Sequence, residues 1–230
     1  MFSLSASHRS HYLRLAPLLA VALIMTVLSF AMIISGYKSL QVGYQLSKWQ
    51  VSGSPDIETW QRTHQNGQAM QSLYPVGNGF LSEQLGKINE WSVYAIQDTA
   101  DNQFLQSALE NYRTQSVLTP KWPMVWLNIL TVKLRLQQID KEFENAFNRA
   151  VLTTGENPVI NYDFIVLSSY LWPHLNYSQK ATVASKAMLV LQQNDHRAKK
   201  LFNHLQQTQL DGFMCSYFKL IKKTPLSMCK

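Results

Sequence analysis

Charge is scarce in this chain. Only 15% of its 230 residues are Asp, Glu, Lys or Arg, with 14 acidic against 21 basic. Despite the net charge of +7, so dilute a distribution is unlike the charge-dense arms that wrap nucleic acid, and no nucleic-acid partner is expected. Cysteine is nearly absent, with Cys215 and Cys229 the only two, which excludes a metal module built on cysteine clusters. No run of alternating β-branched residues lies between hairpin turns, so a sheet is not expected. No Gly-x-Ser-x-Gly elbow and no phosphate-binding loop occurs, and Gly77-x-Gly79 lacks the third glycine and the preceding strand of a dinucleotide loop.

The longest absence is local. From Leu15 to Tyr37 there is no charged residue, with Arg14 before and Lys38 after. Wound as α-helix, these residues rise about 35 Å, slightly more than the roughly 30 Å hydrocarbon core of a bilayer. Eleven of them are Leu, Ile, Val or Phe, each favouring insertion by roughly 0.3 to 0.6 kcal/mol, which outweighs Thr26, Ser29, Ser35 and Pro17. The apolar stretch exceeds the core of a cleaved signal peptide, so an uncleaved signal anchor is expected. His8, Arg9, His11 and Arg14 precede it without an acid, a bias that keeps residues 1–14 as a cytoplasmic tail and carries everything after Tyr37 across the membrane.

Beyond the span of residues 15–37 the sequence predicts an all-α protein. Residues 38–53 continue the helix as a juxtamembrane stem. Residues 54–119 form a helical region opened by Ser54 as N-cap, with Pro55 at the first helical position, Asp56 and Glu58 in the first turn, a stop at Tyr74-Pro75 and Gly77-Asn78-Gly79, and a second helix from about Phe80 to Gln97. Asp98 or Thr99 caps its last helix, which breaks at Pro120. Over residues 120–210 the pattern becomes regular: Trp122, Val125, Trp126, Ile129 and Leu130 recur at helical spacing, Asp140 caps a partner helix, and Gly155 to Pro158 resets the chain. A further pair breaks at Pro173, with Ser178 as cap. Residues 211–230 form a basic C-terminal segment after an interruption at Asp211-Gly212. Ser116 to Thr119 recurs as Ala150 to Thr153 and loosely as Ala187 to Val190, steps of 34 and 37 residues in the range of helix-turn-helix repeats. A repeat stack and an irregular bundle both fit this spacing, and for Cys215 and Cys229 a bridge and free thiols both stay open.

The stretch Trp122-Pro123-Met124-Val125-Trp126-Leu127-Asn128, with Lys133, Asp140 to Phe143, Ala146, Arg149-Ala150, the Gly155 to Pro158 turn and Leu171-Trp172, resembles the VpsP family of exopolysaccharide biosynthesis proteins over about residues 120–173. The resemblance implies a short membrane-anchored protein with a tetratricopeptide-like part that serves the making or export of surface polysaccharide. It carries over no catalytic activity.

Candidate chemistry is sparse. His196 and His204 share a helix face, but Lys200 between them would repel a metal. Two carboxylates across a cleft are what glycoside hydrolysis needs, and Asp98 with Asp101, or Asp140 with Glu142 and Glu144, are the dense candidates. Their plainer role is to favour the positive N-termini of helices. Neither cofactor nor metal is expected. The expected function is a non-enzymatic, membrane-anchored scaffold that binds other polysaccharide assembly or export proteins, with Trp122, Trp126, Lys133, Tyr162, Arg197, Lys199 and Lys200 as partner-binding residues and an acidic polysaccharide as a further ligand. The rival expectation is a glycan-processing envelope enzyme using the carboxylates near Asp140.

Overall fold

The computed structural model describes residues 6–96, 102–193, 195–221 and 229, with side chains from residue 16 onward. Every regular element among them is helical: ten α-helices and one 3-10 turn. They fall into two compact units, Met1–Asp101 and Asn102–Lys230.

The first unit holds α1 (Ala6–Ser52), α2 (Ile57–Leu73) and α3 (Gly79–Ala95). Its 47-residue first helix runs past Pro17, its twelfth residue, without a break. From Ala16 onward α1 is long and apolar enough to cross a membrane. Past that run it becomes a packing surface. Ser35, Ser39, Val42, Leu46 and Trp49 are buried at alternating steps of four and three, the spacing that keeps one seam facing neighbouring helices. Trp60, Thr63, Gly67 and Met70 on α2 and Leu81, Leu85, Ile88 and Ser92 on α3 repeat the same steps. The seam is partly polar, and its groups are paired across helices. Ser35 Oγ donates to the Met70 carbonyl at 2.6 Å and Trp60 Nε1 to the Ile88 carbonyl at 2.9 Å. At Gly67 an added Cβ would fall 2.7 Å from Ile88 Cδ1, so the glycine lets α2 and α3 approach closely.

The second unit holds α4 (Gln103–Leu118), α5 (Pro123–Arg135), α6 (Lys141–Thr154), α7 (Pro158–Leu171), the 3-10 turn Trp172–His174, α8 (Tyr177–Leu191), α9 (His196–Gln207) and α10 (Asp211–Leu220). Consecutive helices pack on one another, and α5 also touches α7, α7 touches α9, and α8 touches α10. The hairpins α5/α6, α7/α8 and α9/α10 therefore stack. Their first helices begin at Pro123, Pro158 and His196. Tyr112, Ile129, Phe143, Phe147, Phe164 and Phe218 are fully buried in one shared core, each contributing on the order of 1.5–3 kcal/mol of burial. The α6–α7 turn relies on Gly155, at φ +52°, a conformation that favours glycine. Its carbonyl accepts from Asn161 Nδ2 at 3.2 Å and from Lys186 Nζ at 2.7 Å, tying the turn to α7 and α8. Cys215 and Cys229 form a disulfide, with Cα atoms 5.4 Å apart.

Several boundaries differ from the sequence expectations. Asp56, not Ser54, caps α2, its carboxylate accepting from the Thr59 amide at 2.8 Å and from the Thr59 hydroxyl. Asn78 caps α3 and Gly79 is its first residue, while α2 has already ended at Leu73 with Tyr74 as its C-cap, so the glycine pair opens a helix and closes none. Asn176, not Ser178, caps α8 through a reciprocal pair with Gln179, each bond 2.9 Å. The break expected at Asp211-Gly212 lies earlier, at Thr208 to Leu210, where Gln209 takes φ +59°. Helix α4, grouped by sequence with residues 54–119, belongs to the second unit and packs on α5. The expected caps Asp98 and Thr99, and the carboxylate pair Asp98 and Asp101, lie outside the described residues, as do Lys222, Lys223 and Lys230 of the basic C-terminal segment.

Candidate functional site

The carboxylates near Asp140 sit where α4, α5 and α6 meet. Asp140 caps α6, accepting from the Phe143 amide at 3.0 Å. Lys133, at 0% exposure, extends from α5 between two acids, its ammonium 2.9 Å from Asp140 Oδ2 and 2.8 Å from Glu142 Oε2. Arg113 on α4 closes the other side, with Nε donating to Glu142 Oε1 at 2.7 Å and Nη2 to Oε2, while Nη1 pairs with Glu110. A buried ammonium is tolerated only when paired, and two carboxylates supply that pairing. The Arg113 fork, reinforced by Lys133, holds Glu142 well below the carboxylate range, at about 2, and raises Arg113 above its ordinary value. Partial desolvation works against ionisation of Asp140, yet the Phe143 amide and Lys133 leave it lowered. A glycosidase acid must carry a proton near neutral pH, and both of these groups are tuned the opposite way. Glu144 is exposed on α6.

The remaining expected site residues fall in two places. At the start of α5, Trp122 is about half exposed, while Trp126 is buried, donates from Nε1 to the Pro120 carbonyl at 3.0 Å and lies under the Arg149 guanidinium, 5.9 Å from the ring centroid. On α7, desolvation raises the Asp163 carboxyl above its ordinary value against the charge of Arg197 on α9; Tyr162 stands next to it in the chain. Desolvation and the Asp163 charge raise the Tyr162 phenol. Arg197 also reaches Asp195 at 3.6 Å, and Lys199 and Lys200 are exposed on α9. Lys133 is a correction: its ammonium is spent inside the fold and presents nothing to a partner.

Sequence reasoning missed one polar pair. Ser169 Oγ on α7 lies 2.7 Å from His204 Nε2 on α9, and Tyr170 meets the same imidazole edge-on at 5.7 Å. The two residues are 35 apart, one repeat step, and that spacing was the available signal. Desolvation lowers the His204 pKa. Ser169 also donates to the Val166 carbonyl at 2.7 Å, inside a helix and away from any strained turn, a setting unlike that of an activated nucleophile. His204 is thus engaged apart from His196, and among the described residues no cluster of three or more His, Cys, Asp or Glu side chains is placed to hold a metal ion.

Two open grooves accompany these clusters. One of about 560 Å³ lies between α1 and α2 and is lined by Tyr44, Gln45, Lys48 and Arg62. The other, about 250 Å³, lies between α6 and α8 beside Val151, Leu152 and Gln179. Both are partly open to solvent.

No protein-family model, no curated protein and no solved structure matches this chain.

Proposed function

We propose that this chain is a single-pass inner-membrane protein without catalytic activity, whose helical stack docks other components of an exopolysaccharide assembly or export system on the periplasmic side. The observation that carries this reading is the passage of α1 from its apolar run into a packed three-helix unit without a break. Such an arrangement suits holding a domain at a membrane. The positive residues ahead of the span support the orientation, and the resemblance over about residues 120–173 supports the process served.

The working surface is the row of first helices α5, α7 and α9 of a tetratricopeptide-like stack. It carries Trp122, Tyr162, Arg197, Lys199 and Lys200, which suit an acidic protein patch or an acidic polysaccharide. The rival reading, glycan processing at Asp140 and Glu142, is disfavoured by their ion pairs, which keep both groups deprotonated.

Photo-crosslinkers placed at Trp122, Lys199 and Lys200 in cells test the proposal. Capture of polysaccharide assembly or export proteins is the expected result. A purified chain that cleaves or extends a glycan, or a reporter at the far end active only in the cytoplasm, would overturn it.

A further inference from the structure

The α2–α3 hairpin points back toward the apolar run of α1. Two contacts fix the direction of α2: Lys38 Nζ donates to Asn66 Oδ1 at 2.9 Å, and Ser35 Oγ donates to the Met70 carbonyl at 2.6 Å. As numbers rise on α2 they fall on α1, so the helices are antiparallel, and α2 runs one further turn beyond Met70 before ending at Leu73. Helix α3 returns in the opposite sense. Ser39 meets Gln84, and Trp49 stacks edge-on against Trp91 at 5.8 Å, a register that sets Phe80 level with Ser35.

Charge follows the same geometry. Between Arg62 and Glu83 no Asp, Glu, Lys or Arg occurs, and this is the portion lying at or beyond the level of Lys38, where α1 is itself uncharged back to Leu15. Between the level of Lys38 and that of Leu15, none of the three helices of this unit carries an Asp, Glu, Lys or Arg. The hairpin tip at that depth is not merely neutral. Val76 is 68% and Phe80 60% exposed, beside Tyr74 and Pro75.

A bilayer's polar interface is roughly 5–8 Å thick on each side of its hydrocarbon core. If the core covers about 20 residues of α1, counted from Leu15, it ends at about Ile34, immediately below Ser35. Met70, level with Ser35, then already stands at the edge of the core, and the helical turn to Leu73, about 4.5 Å at 1.5 Å per residue, carries the hairpin tip just past that edge. Exposed apolar and aromatic side chains at this depth are what an interfacial anchor uses.

We propose that the α2–α3 tip is a second membrane contact, which seats Val76 and Phe80 in the outer edge of the same bilayer that α1 crosses. The occupant of this surface is lipid, and the contact does not depend on which side of the membrane the unit occupies. The inference rests on the anchor reading of α1 and on no further part of the proposed function.

The test uses the full chain in vesicles of phosphatidylcholine and phosphatidylglycerol, with an environment-sensitive fluorophore on single introduced cysteines. Val76→Cys and Phe80→Cys report the tip, Ile24→Cys the span, and Gln61→Cys the opposite end of α2. Blue-shifted emission is expected at 24, 76 and 80 and not at 61, with quenching at 76 and 80 by lipids spin-labelled near the headgroup and at 24 by lipids spin-labelled deep in the acyl chain. Quenching at 24 but not at 76 and 80 would overturn the tip contact and leave the anchor standing, including the case where residues 102–230 or another protein cover the tip. No quenching at 24 would overturn the anchor and the tip together.

Discussion

Ser39 and Gln84 exchange two hydrogen bonds in the buried seam between α1 and α3. The Ser39 hydroxyl donates to Gln84 Oε1 at 2.7 Å, and Gln84 Nε2 donates back to the Ser39 carbonyl at 3.1 Å. Removing one partner strands buried polar groups, so Gln84→Ala should cost about 1–3 kcal/mol. The double change Ser39→Ala with Gln84→Leu should cost less than the sum of the single changes, because it removes both sides of the bond. Urea unfolding of the detergent-solubilised chain, followed by tryptophan fluorescence, measures the coupling, and strict additivity would contradict it.

Lys133→Met should be the most damaging substitution near α6. It removes the cation between Asp140 and Glu142 while Arg113 still holds one of them. About 2–3 kcal/mol is expected, less than a fully buried broken pair because Asp140 is half exposed. Calorimetry should show the unfolding midpoint of the second unit falling by roughly 5–10 °C.

Acid should weaken the same junction. Glu142 titrates at about 2 in the folded chain against an ordinary 4.5, so the unfolded chain binds more protons once pH falls below about 5. Stability is therefore fully present above pH 5 and drains away as pH falls toward 2. With the side chain a third exposed, solvent screening limits the contribution to about 1–2 kcal/mol. Glu142→Gln should flatten this part of the stability profile between pH 5 and 3, as followed by circular dichroism.

Reducing the Cys215–Cys229 bridge, which closes a separation of 14 residues, should release about 3 kcal/mol of chain restraint. Helix α10 feels this first, since Met214 and Phe218 are its only buried side chains. Hydrogen exchange over residues 211–220 should accelerate on reduction while α5 to α8 keep their protection. Equal protection in both states would show that burial alone retains α10.

Features set by nearby residues were legible in the sequence. The uncharged run, Asp140 as a cap and the Gly155 to Pro158 reset all depend on chemistry within a few positions. Caps were misplaced where two acceptors compete: Asp56 stands two residues from Ser54 and Asn176 two from Ser178, and the carbonyl-bearing side chains take the amides. Lys133 looked like a partner-facing cation because lysine is seldom buried. Yet it follows Ile129 by four residues and Leu130 by three, on the apolar face of α5, and acids at 140 and 142 were at hand. Pro120 read as a region boundary because it ends α4. What the chain did not announce is that Leu105, Leu109 and Tyr112 of α4 join the core of α5 and α6. Ser169 with His204 needs the stacking itself, which pairs residues of neighbouring hairpins.

The unbroken course of α1 sets a mechanical limit. With no hinge between the greasy segment and Ser52, any lean of the anchor becomes a lean of the whole three-helix unit. On the proposed reading of α1 as an anchor, the roughly 15 residues from Lys38 to Ser52 keep that unit within about 25 Å of the bilayer face. Under that proposal, whatever the unit meets lies close to the lipid, because a continuous helix offers no linker to extend.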